Sequence, residues 1–501
     1  MLTNTHTQAE FVTLQHPSGR VFENVPTGLF INGQFVPSVS GKKFETVDPN
    51  TGKVITEVYE ADKADVNIAV AAAKKAYEEV WSKIPAAQRG EYLYKLAQLV
   101  ERDQEQLAAL EAYDNGKPYV YALGFDVPSV VANLKYMAGY ADKIDHGRTV
   151  NISEQVHAYT RAEPFGAVGA VIPWNFPLLM LTWKIAPALA AGNTVVLKTS
   201  EKTPLSALKL GQLINEAGFP PGVVNFISGF GPTAGEAIAR HHDLHKISFT
   251  GSTGVGRRIA IAAAESNLKK VSLELGGKSP NVVFADADLD NAVAACRLGY
   301  TFNQGQVCCA GTRVFVQDTI YDEFMARLKA DAATVKVGNT FEMDTQVGPL
   351  VDKLQFDRVL SFLEEGKREG ATVEFGGDRV GKEGYYVSPT IFSNVTDDMK
   401  IVREEIFGPV VCVDKFSTVE EAITKANNTI YGLAASVHTS NISTYVKVAN
   451  AIQAGTVWVN THNQLSAQMP FGGYKSSGNG RDSGAEAIKE YTQIKTIYVQ
   501  L

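Results

Sequence analysis

The sequence is poor in cysteine: its 501 residues include four, Cys296, Cys308, Cys309 and Cys412. None falls into the spaced CxxC pairs that a zinc site or a dithiol redox motif requires, so no metal is expected and the thiols read as reduced. Long runs of one charge are missing as well, and the formal net charge is −7. That removes the basic footprint a polynucleotide would need, so no nucleic-acid partner is expected. Hydrophobic residues at 45% and charged residues at 20% are ordinary for a soluble globular chain and argue against disorder or a membrane partner. The first twenty residues contain Glu10 and a single arginine, Arg20, without an apolar core of about 7–15 residues, so no secretory or mitochondrial address is visible and the cytoplasm is the expected place. The end, Tyr498-Val499-Gln500-Leu501, carries no peroxisomal or prenylation signal. No short-period internal repeat is visible.

What is present is a long alternation. A chain of this length suggests about three folding units. Between Phe165 and Leu275 short β-branched runs alternate with helical stretches, the pattern of βαβ crossovers around a mostly parallel sheet. Strands are expected at 166–172, 194–198, 223–228, 246–250 and 271–275, each short and apolar as doubly covered strands are. Helices are expected at about 178–190, 204–217, 232–240 and 254–264, several closed by glycines such as Gly192 and Gly218. In an open α/β sheet the ligand crevice lies beyond the carboxyl ends of the strands. There the chain runs into Pro173-Trp174-Asn175-Phe176-Pro177, Lys198 to Glu201, Gly229-Phe230-Gly231, Gly251 to Gly256, and Glu274 to Gly277, a set of glycines, one lysine and carboxylates that suits a dinucleotide. A second α/β region follows Gly277, with a strand at 281–284, a helix from about Asp288, the Cys308 loop, and strands at 312–317 and 456–460. The segment 491–499 reads as a terminal strand whose unpaired edge invites another subunit.

Three positions could carry chemistry. Cys308 and Cys309 put adjacent thiols on a loop between a helix end and a strand; isolated cysteines are more often buried small hydrophobes than nucleophiles. Glu274 ends a strand expected to be buried, where a carboxylate is costly unless it is paired or used. It is either a structural ion-pair partner or, with a raised pKa, a general base toward water. Asn175 sits between two prolines that restrict the backbone, which fits an oxyanion donor or an ordinary turn. The stretch Gly251-Ser252-Thr253-Gly254-Val255-Gly256 is a poor match to GxGxxG, improved by its place after a strand.

Taken together, Phe-Thr-Gly-Ser-Thr (249–253), Leu-Glu-Leu-Gly-Gly-Lys-Ser-Pro (273–280), Gly-Gln-x-Cys (305–308) and Glu-Glu-Ile-Phe-Gly-Pro (404–409), in this order, resemble the aldehyde dehydrogenase superfamily, its hydrolytic branch, from about Gly28 onward. The resemblance implies oxidation of an aldehyde to a carboxylic acid with reduction of NAD or NADP. It assigns the nucleophile to Cys308, the general base to Glu274 and the oxyanion amide to Asn175. It places Glu405 and Phe407 near the nicotinamide, Lys198 and Glu201 at the adenine ribose, and Trp174, Gly231, Gly251, Ser252 and Gly256 beside the cofactor. A carboxylate at Glu201 would repel a 2′-phosphate, so NAD is expected above NADP, although Lys198 pulls the other way and leaves NADP use open. A substrate tunnel is implied around Ser129, Phe176, Trp183, Leu465 and Phe471, whose aromatic walls favour apolar aldehydes of medium size.

The implied fold is α/β: a Rossmann-like dinucleotide-binding domain (1–140 and 160–276), an α/β catalytic domain (277–475), and a small β bridging arm (141–159 and 476–501) that joins subunits into a homodimer or homotetramer through the C-terminal strand. Two positions depart from the family pattern near the expected interface: Asp482 stands where relatives often carry Glu, and Gln493 where some carry Glu, which puts an ion pair with Arg481 in doubt. Two other readings stay open. A CoA-acylating relative typically lacks the hydrolytic glutamate, and a non-catalytic structural protein on this fold need not keep thiol, base and amide together.

Overall fold

The computed structural model describes residues 11–144 and 147–501. Residues 1–10, which hold half of the leader reading and the start of the expected first domain, and residues 145–146 of the expected arm lie outside the described residues.

All five strands expected between Phe165 and Leu275 are present, at Ala167–Val171, Thr194–Thr199, Val224–Ser228, Lys246–Thr250 and Lys270–Glu274. Each is parallel to its neighbours within this set. Their burial explains why they read as continuous apolar runs. Val168, Ala170, Val195, Leu197 and Phe226 enter the core on one face of the sheet, while Ala167, Val171, Val196, Ile227 and Ile247 enter the core on the other. Successive side chains of a strand point to opposite faces, so covering both faces leaves no polar side to show.

The spatial order runs Lys270–Glu274, Lys246–Thr250, Ala167–Val171, Thr194–Thr199, Val224–Ser228. The chain therefore winds outward from Ala167–Val171 in both directions, and the crevice of a doubly wound sheet opens where the direction reverses, between Ala167–Val171 and Lys246–Thr250. Short antiparallel strands complete an eight-stranded sheet: Leu29–Ile31 and Gln34–Val36 at one edge, Gly478–Asn479 at the other.

The connecting helices are Pro177–Ala190, Leu205–Ala217 and Thr253–Ser266. The fourth expected helix, 232–240, is split: Gly231–Gly235 is wound as a π turn and only Glu236–Arg240 is α-helical. Gly231, Pro232 and Gly235 in one turn explain the departure, because glycine and proline lower α-helix propensity. Before this region the sequence yields no elements, yet the structure builds the helices Lys63–Glu79, Ala86–Arg102, Gln104–Asn115 and Val127–Tyr140 there. The first begins with a capping box, in which Asp62 accepts from the Ala64 amide while Asp65 receives the Asp62 amide, a signal visible in the sequence.

A second, seven-stranded sheet contains Pro280–Val283, Arg313–Gln317, Val410–Phe416, Ala434–His438 and Thr456–Val459 as parallel strands, with Thr390–Ser393 and Thr372–Phe375 at one edge. The expected helix starts at Asp288, which caps Leu289–Thr301 by accepting from the Asn291 amide. Separate from both sheets, Thr492–Gln500 pairs antiparallel with Val156–Pro164, and Thr149–Ser153 adds a third strand. Among the described residues, no helix is long and apolar enough to cross a membrane.

Candidate functional site

Between the two large sheets lies a cavity of ≈ 300 Å³, lined by Trp174, Asn175, Gly251, Ser252, Glu274, Cys308, Glu405 and Phe407, with Phe176, Trp183, Leu465 and Phe471 in its walls. Several chain segments reach it, three of them from the carboxyl ends of strands. Trp174 and Asn175 follow Ala167–Val171, Gly251 and Ser252 follow Lys246–Thr250, and Glu274 closes Lys270–Glu274.

The Cys308 loop is built from an unusual backbone. After helix Leu289–Thr301, Asn303, Gln304 and Gly305 all take positive φ, 49°, 59° and 70°. For residues other than glycine such strain must be held by surrounding contacts. The Asn303 amide donates to the Asn175 carbonyl at 3.1 Å, and the Gln304 amide donates to the Pro349 carbonyl at 2.9 Å. Gln306 Oε1 accepts from the Val351 amide at 3.1 Å. At Gly305 a Cβ would lie 2.1 Å from the Gly408 carbonyl oxygen, so only glycine fits. Of the two adjacent thiols, Cys308 is half-buried and faces the cavity, whereas Cys309 is buried and donates to Asn463 Oδ1 at 3.3 Å. The neighbouring Cys309 thiol, followed by burial, pushes Cys308 well above the usual thiol range.

Asn175 is buried, and its Nδ2 donates to the Gln306 carbonyl at 2.8 Å. This bond fixes the plane of the amide relative to the Cys308 loop. An amide nitrogen has two hydrogens, and the second has no acceptor among the described residues. Glu274 is also buried, and neither of its carboxylate oxygens has a hydrogen-bond partner among the described residues. Burial, then the nearby Asp482 charge, raises its pKa well above the usual carboxylate range, while Lys184 opposes the shift. A carboxylate in this state has high proton affinity and nothing to spend it on except what enters the cavity.

Glu405 accepts from the Gly277 amide at 3.1 Å and is pushed up to about 7 by burial. A Cβ on Gly276 would stand 2.2 Å from its Oε2. Phe407, at φ 61°, stands edge-on to Trp174 with ring centroids 5.2 Å apart. At the helix N-terminus, Ser252 caps Thr253–Ser266. Gly251 and Gly256 leave room that a Cβ would fill, 2.5 Å from Phe249 and 2.5 Å from Leu275 respectively.

Lys198, Glu201, Gly231 and Gly256 do not line this cavity. The first three stand together at the carboxyl ends of the neighbouring strands. The buried Lys198 ammonium donates to the carbonyls of Thr199 at 2.8 Å and Gly229 at 2.7 Å. It also reaches Glu201 at 3.4 Å, whose side chain is 32% exposed.

Ser129 lines not this cavity but an adjoining one, which shares Leu179, Trp183 and Leu465 with it. Asp482 has a buried partner. It is buried and ion-paired with Lys184, their side chains 5% and 1% exposed. The pairing explains how an acid is tolerated in the core, and sequence proximity to the terminal strand hid it. Lys184 was not singled out at all, because a lysine in an apolar helix gives no sign of its partner 298 residues away. His462 was missed for the same reason: it is buried, bonded through Nδ1 to Ser436 at 2.6 Å and through Nε2 to the Cys309 carbonyl at 3.1 Å, and so holds the thiol loop from behind. Gln493 donates to the Pro164 carbonyl at 3.5 Å, while Arg481 donates to the Gly473 and Gly480 carbonyls, so no pair links Gln493 and Arg481.

Comparisons with known proteins cover nearly the whole chain. The chain is 56% identical over 491 residues to an aldehyde dehydrogenase of Emericella nidulans, covering 98% of each protein. It is 52% identical over 477 residues to retinal dehydrogenase 2 of Mus musculus, covering 95% of this chain and 92% of that one. The structure matches the NAD+ complex of aldehyde dehydrogenase from Bacillus cereus with a TM-score of 0.95 at 50% identity, over 99% of this chain and all of the other. The model of the aldehyde dehydrogenase family matches residues 35–497, and the chain belongs to that family.

Proposed function

We propose that the protein oxidises an apolar aldehyde to its carboxylic acid with NAD, through a covalent thioester on Cys308. The observation that carries this reading is the meeting of one half-exposed thiol, one unpaired carboxylate and one fixed amide in a single cavity at the switch point of a doubly wound sheet. The residues present fit a dinucleotide. Gly251 and Gly256 keep the turn before helix Thr253–Ser266 free of side chains, and a helix N-terminus favours a pyrophosphate. Glu201 offers a partly exposed carboxylate to ribose hydroxyls. Lys198 spends its hydrogens on backbone carbonyls, which supports NAD above NADP because no free cation then meets a 2′-phosphate. Trp174, Glu405 and Phe407 frame the reacting end.

The neighbouring Cys309 thiol and burial raise the proton affinity of Cys308, so the thiol proton passes to a base as the sulfur adds to the carbonyl carbon; ionised Glu274, whose proton affinity burial raises, is the unpaired carboxylate in the cavity that takes it and then hands it on to solvent. The sulfur–carbon bond forms as the carbonyl pair moves to oxygen, where the free Asn175 hydrogen stabilises the charge. NAD, when bound beside Trp174, Glu405 and Phe407, would supply the hydride acceptor. Glu274, ionised again, then takes a proton from water, hydroxide adds to the acyl carbon, and the carbon–sulfur bond breaks to release the acid as that proton returns to the leaving thiolate. Burial, with Asp482 adding to it and Lys184 opposing it, sets the proton affinity of Glu274.

We also assign the dinucleotide-binding domain to 1–140 with 160–276, the catalytic domain to 277–475, and the bridging arm to 141–159 with 476–501. Exposed Ile494, Tyr498 and Val499 on the terminal strand support assembly of copies through that arm. Four cysteines without disulfides support a reducing compartment, the cytoplasm. Glu274 disfavours acyl transfer to CoA, and the joint presence of thiol, base and amide disfavours a structural role. The test gives purified protein NAD or NADP with a panel of aldehydes, with and without CoA, and follows reduced cofactor. NAD-linked acid formation independent of CoA is expected, and absence of aldehyde-driven reduction overturns the reading.

A further inference from the structure

Beyond Leu179, Trp183 and Leu465 the catalytic cavity adjoins a second chamber of ≈ 220 Å³. The two differ in chemistry. Around Cys308 the walls are Phe176, Phe302 and Phe471, whereas the outer chamber is lined by Ser129, Asn133, Ser466, Gln468 and Ser483, with no charged side chain among its lining residues. Asn133 is its anomaly. It is 1% exposed, on a helix that otherwise buries Val127, Val130, Val131, Leu134 and Met137, and neither its Oδ1 nor its Nδ2 has a partner among the described residues. The hydroxyl of Ser483, 2% exposed, is unpartnered as well. A buried amide with both ends unsatisfied is costly, and an apolar residue of similar volume would serve packing better. Its donors and acceptor are available to whatever fills the chamber. The neutral lining leaves an ionised group without compensation, so it selects an uncharged hydrogen-bonding group.

We propose that this chamber binds a hydroxyl or amide at the far end of an otherwise apolar aldehyde, and that Asn133 selects substrates bearing it. The inference rests on the aldehyde-oxidising reading of the inner cavity and names the substrate class within it. The experiment compares kcat/KM for straight-chain aldehydes of rising length, each paired with its ω-hydroxy counterpart, in the parent and in Asn133→Leu, alongside thermal unfolding of both. Beyond a threshold length the hydroxyl should favour the parent's substrate by about tenfold, the size of one well-placed hydrogen bond. That advantage should vanish in Asn133→Leu, whose Tm should equal or exceed the parent's. The proposal fails if no chain length benefits, if the benefit survives in Asn133→Leu, or if a terminal carboxylate gains equally. A lower Tm with an unchanged preference would assign Asn133 to internal structure and overturn it too. If no aldehyde is oxidised, the activity reading fails separately. Protection of Cys308 from alkylation by matched alcohols and diols then still reads the chamber, with the diols expected to protect at the lower concentration and equal protection counting against the proposal.

Discussion

Glu274 shows how a single residue can be costly to bury and still be retained. Its carboxylate sits in the core with no hydrogen-bond partner among the described residues, and burial raises its proton affinity. A base must be ionised to take a proton from water, and raising its pKa moves the rise in ionised fraction to higher pH. The turnover rate should therefore climb with pH over a range above that of an ordinary carboxylate. In Glu274→Gln that rising limb should disappear, and rapid mixing should reveal one burst of reduced cofactor followed by a stall; steady turnover at the parent rate would exclude this carboxylate as the base. Asn175 makes a different demand, since its amide is held by the Gln306 carbonyl and contributes one hydrogen to a developing charge. Asn175→Ala should lose ~10²- to 10³-fold in kcat, the usual cost of one oxyanion donor, with a Tm close to the parent's. A variant with full activity would remove it from the scheme.

At the scale of elements, strands are legible where burial on both faces makes them uniformly apolar, and their observed ends agree with the sequence pattern within a residue or two. Helices such as Gln104–Asn115 are not, because nine of its residues are buried, including Glu111 and Asp114, and its polar positions look like a solvated face. Asp114 accepts from the Leu205 amide at 2.8 Å and from the Thr46 hydroxyl, and burial raises it to about 7. A carboxyl raised in the folded state contributes stability below its unfolded pKa, near 4, and loses it as pH rises to about 7. Asp114→Asn retains both partners, its amide oxygen accepting from the Leu205 amide and its nitrogen donating to the Thr46 hydroxyl oxygen, and lacks this dependence. Its denaturation midpoint relative to the parent should accordingly rise between pH 4 and pH 8, and a constant difference would refute the assignment. The thiol loop is the second element the sequence concealed. Its motif is readable, but its left-handed backbone depends on partners from four other segments. Gly305→Ala must meet both the Gly408 carbonyl and a positive φ, so it should lower Tm and activity together, whereas unaltered Tm would show that the loop can relax.

For the whole molecule the terminal strand is the decisive feature. Thr492–Gln500 pairs along one side with Val156–Pro164 and is the edge of its sheet, with Ile494, Tyr498 and Val499 exposed. An unpaired edge bearing apolar side chains is a template for another chain. Removing residues 492–501, or replacing Ile494 by Glu, should convert the expected homodimer or homotetramer to monomer in light scattering; an unchanged mass would place the interface elsewhere. Sequence alone determined the strands, the glycine turns after them and the local motifs around Cys308, Glu274 and Asn175, because these depend on burial periodicity and on spacing over a few residues. Only the tertiary structure decided that Lys184 meets Asp482, that His462 braces the thiol loop, and that Asn133 opens onto a polar chamber. Those contacts join residues far apart in the chain, and no local pattern records which distant partner will satisfy a buried charge or leave a buried amide unsatisfied.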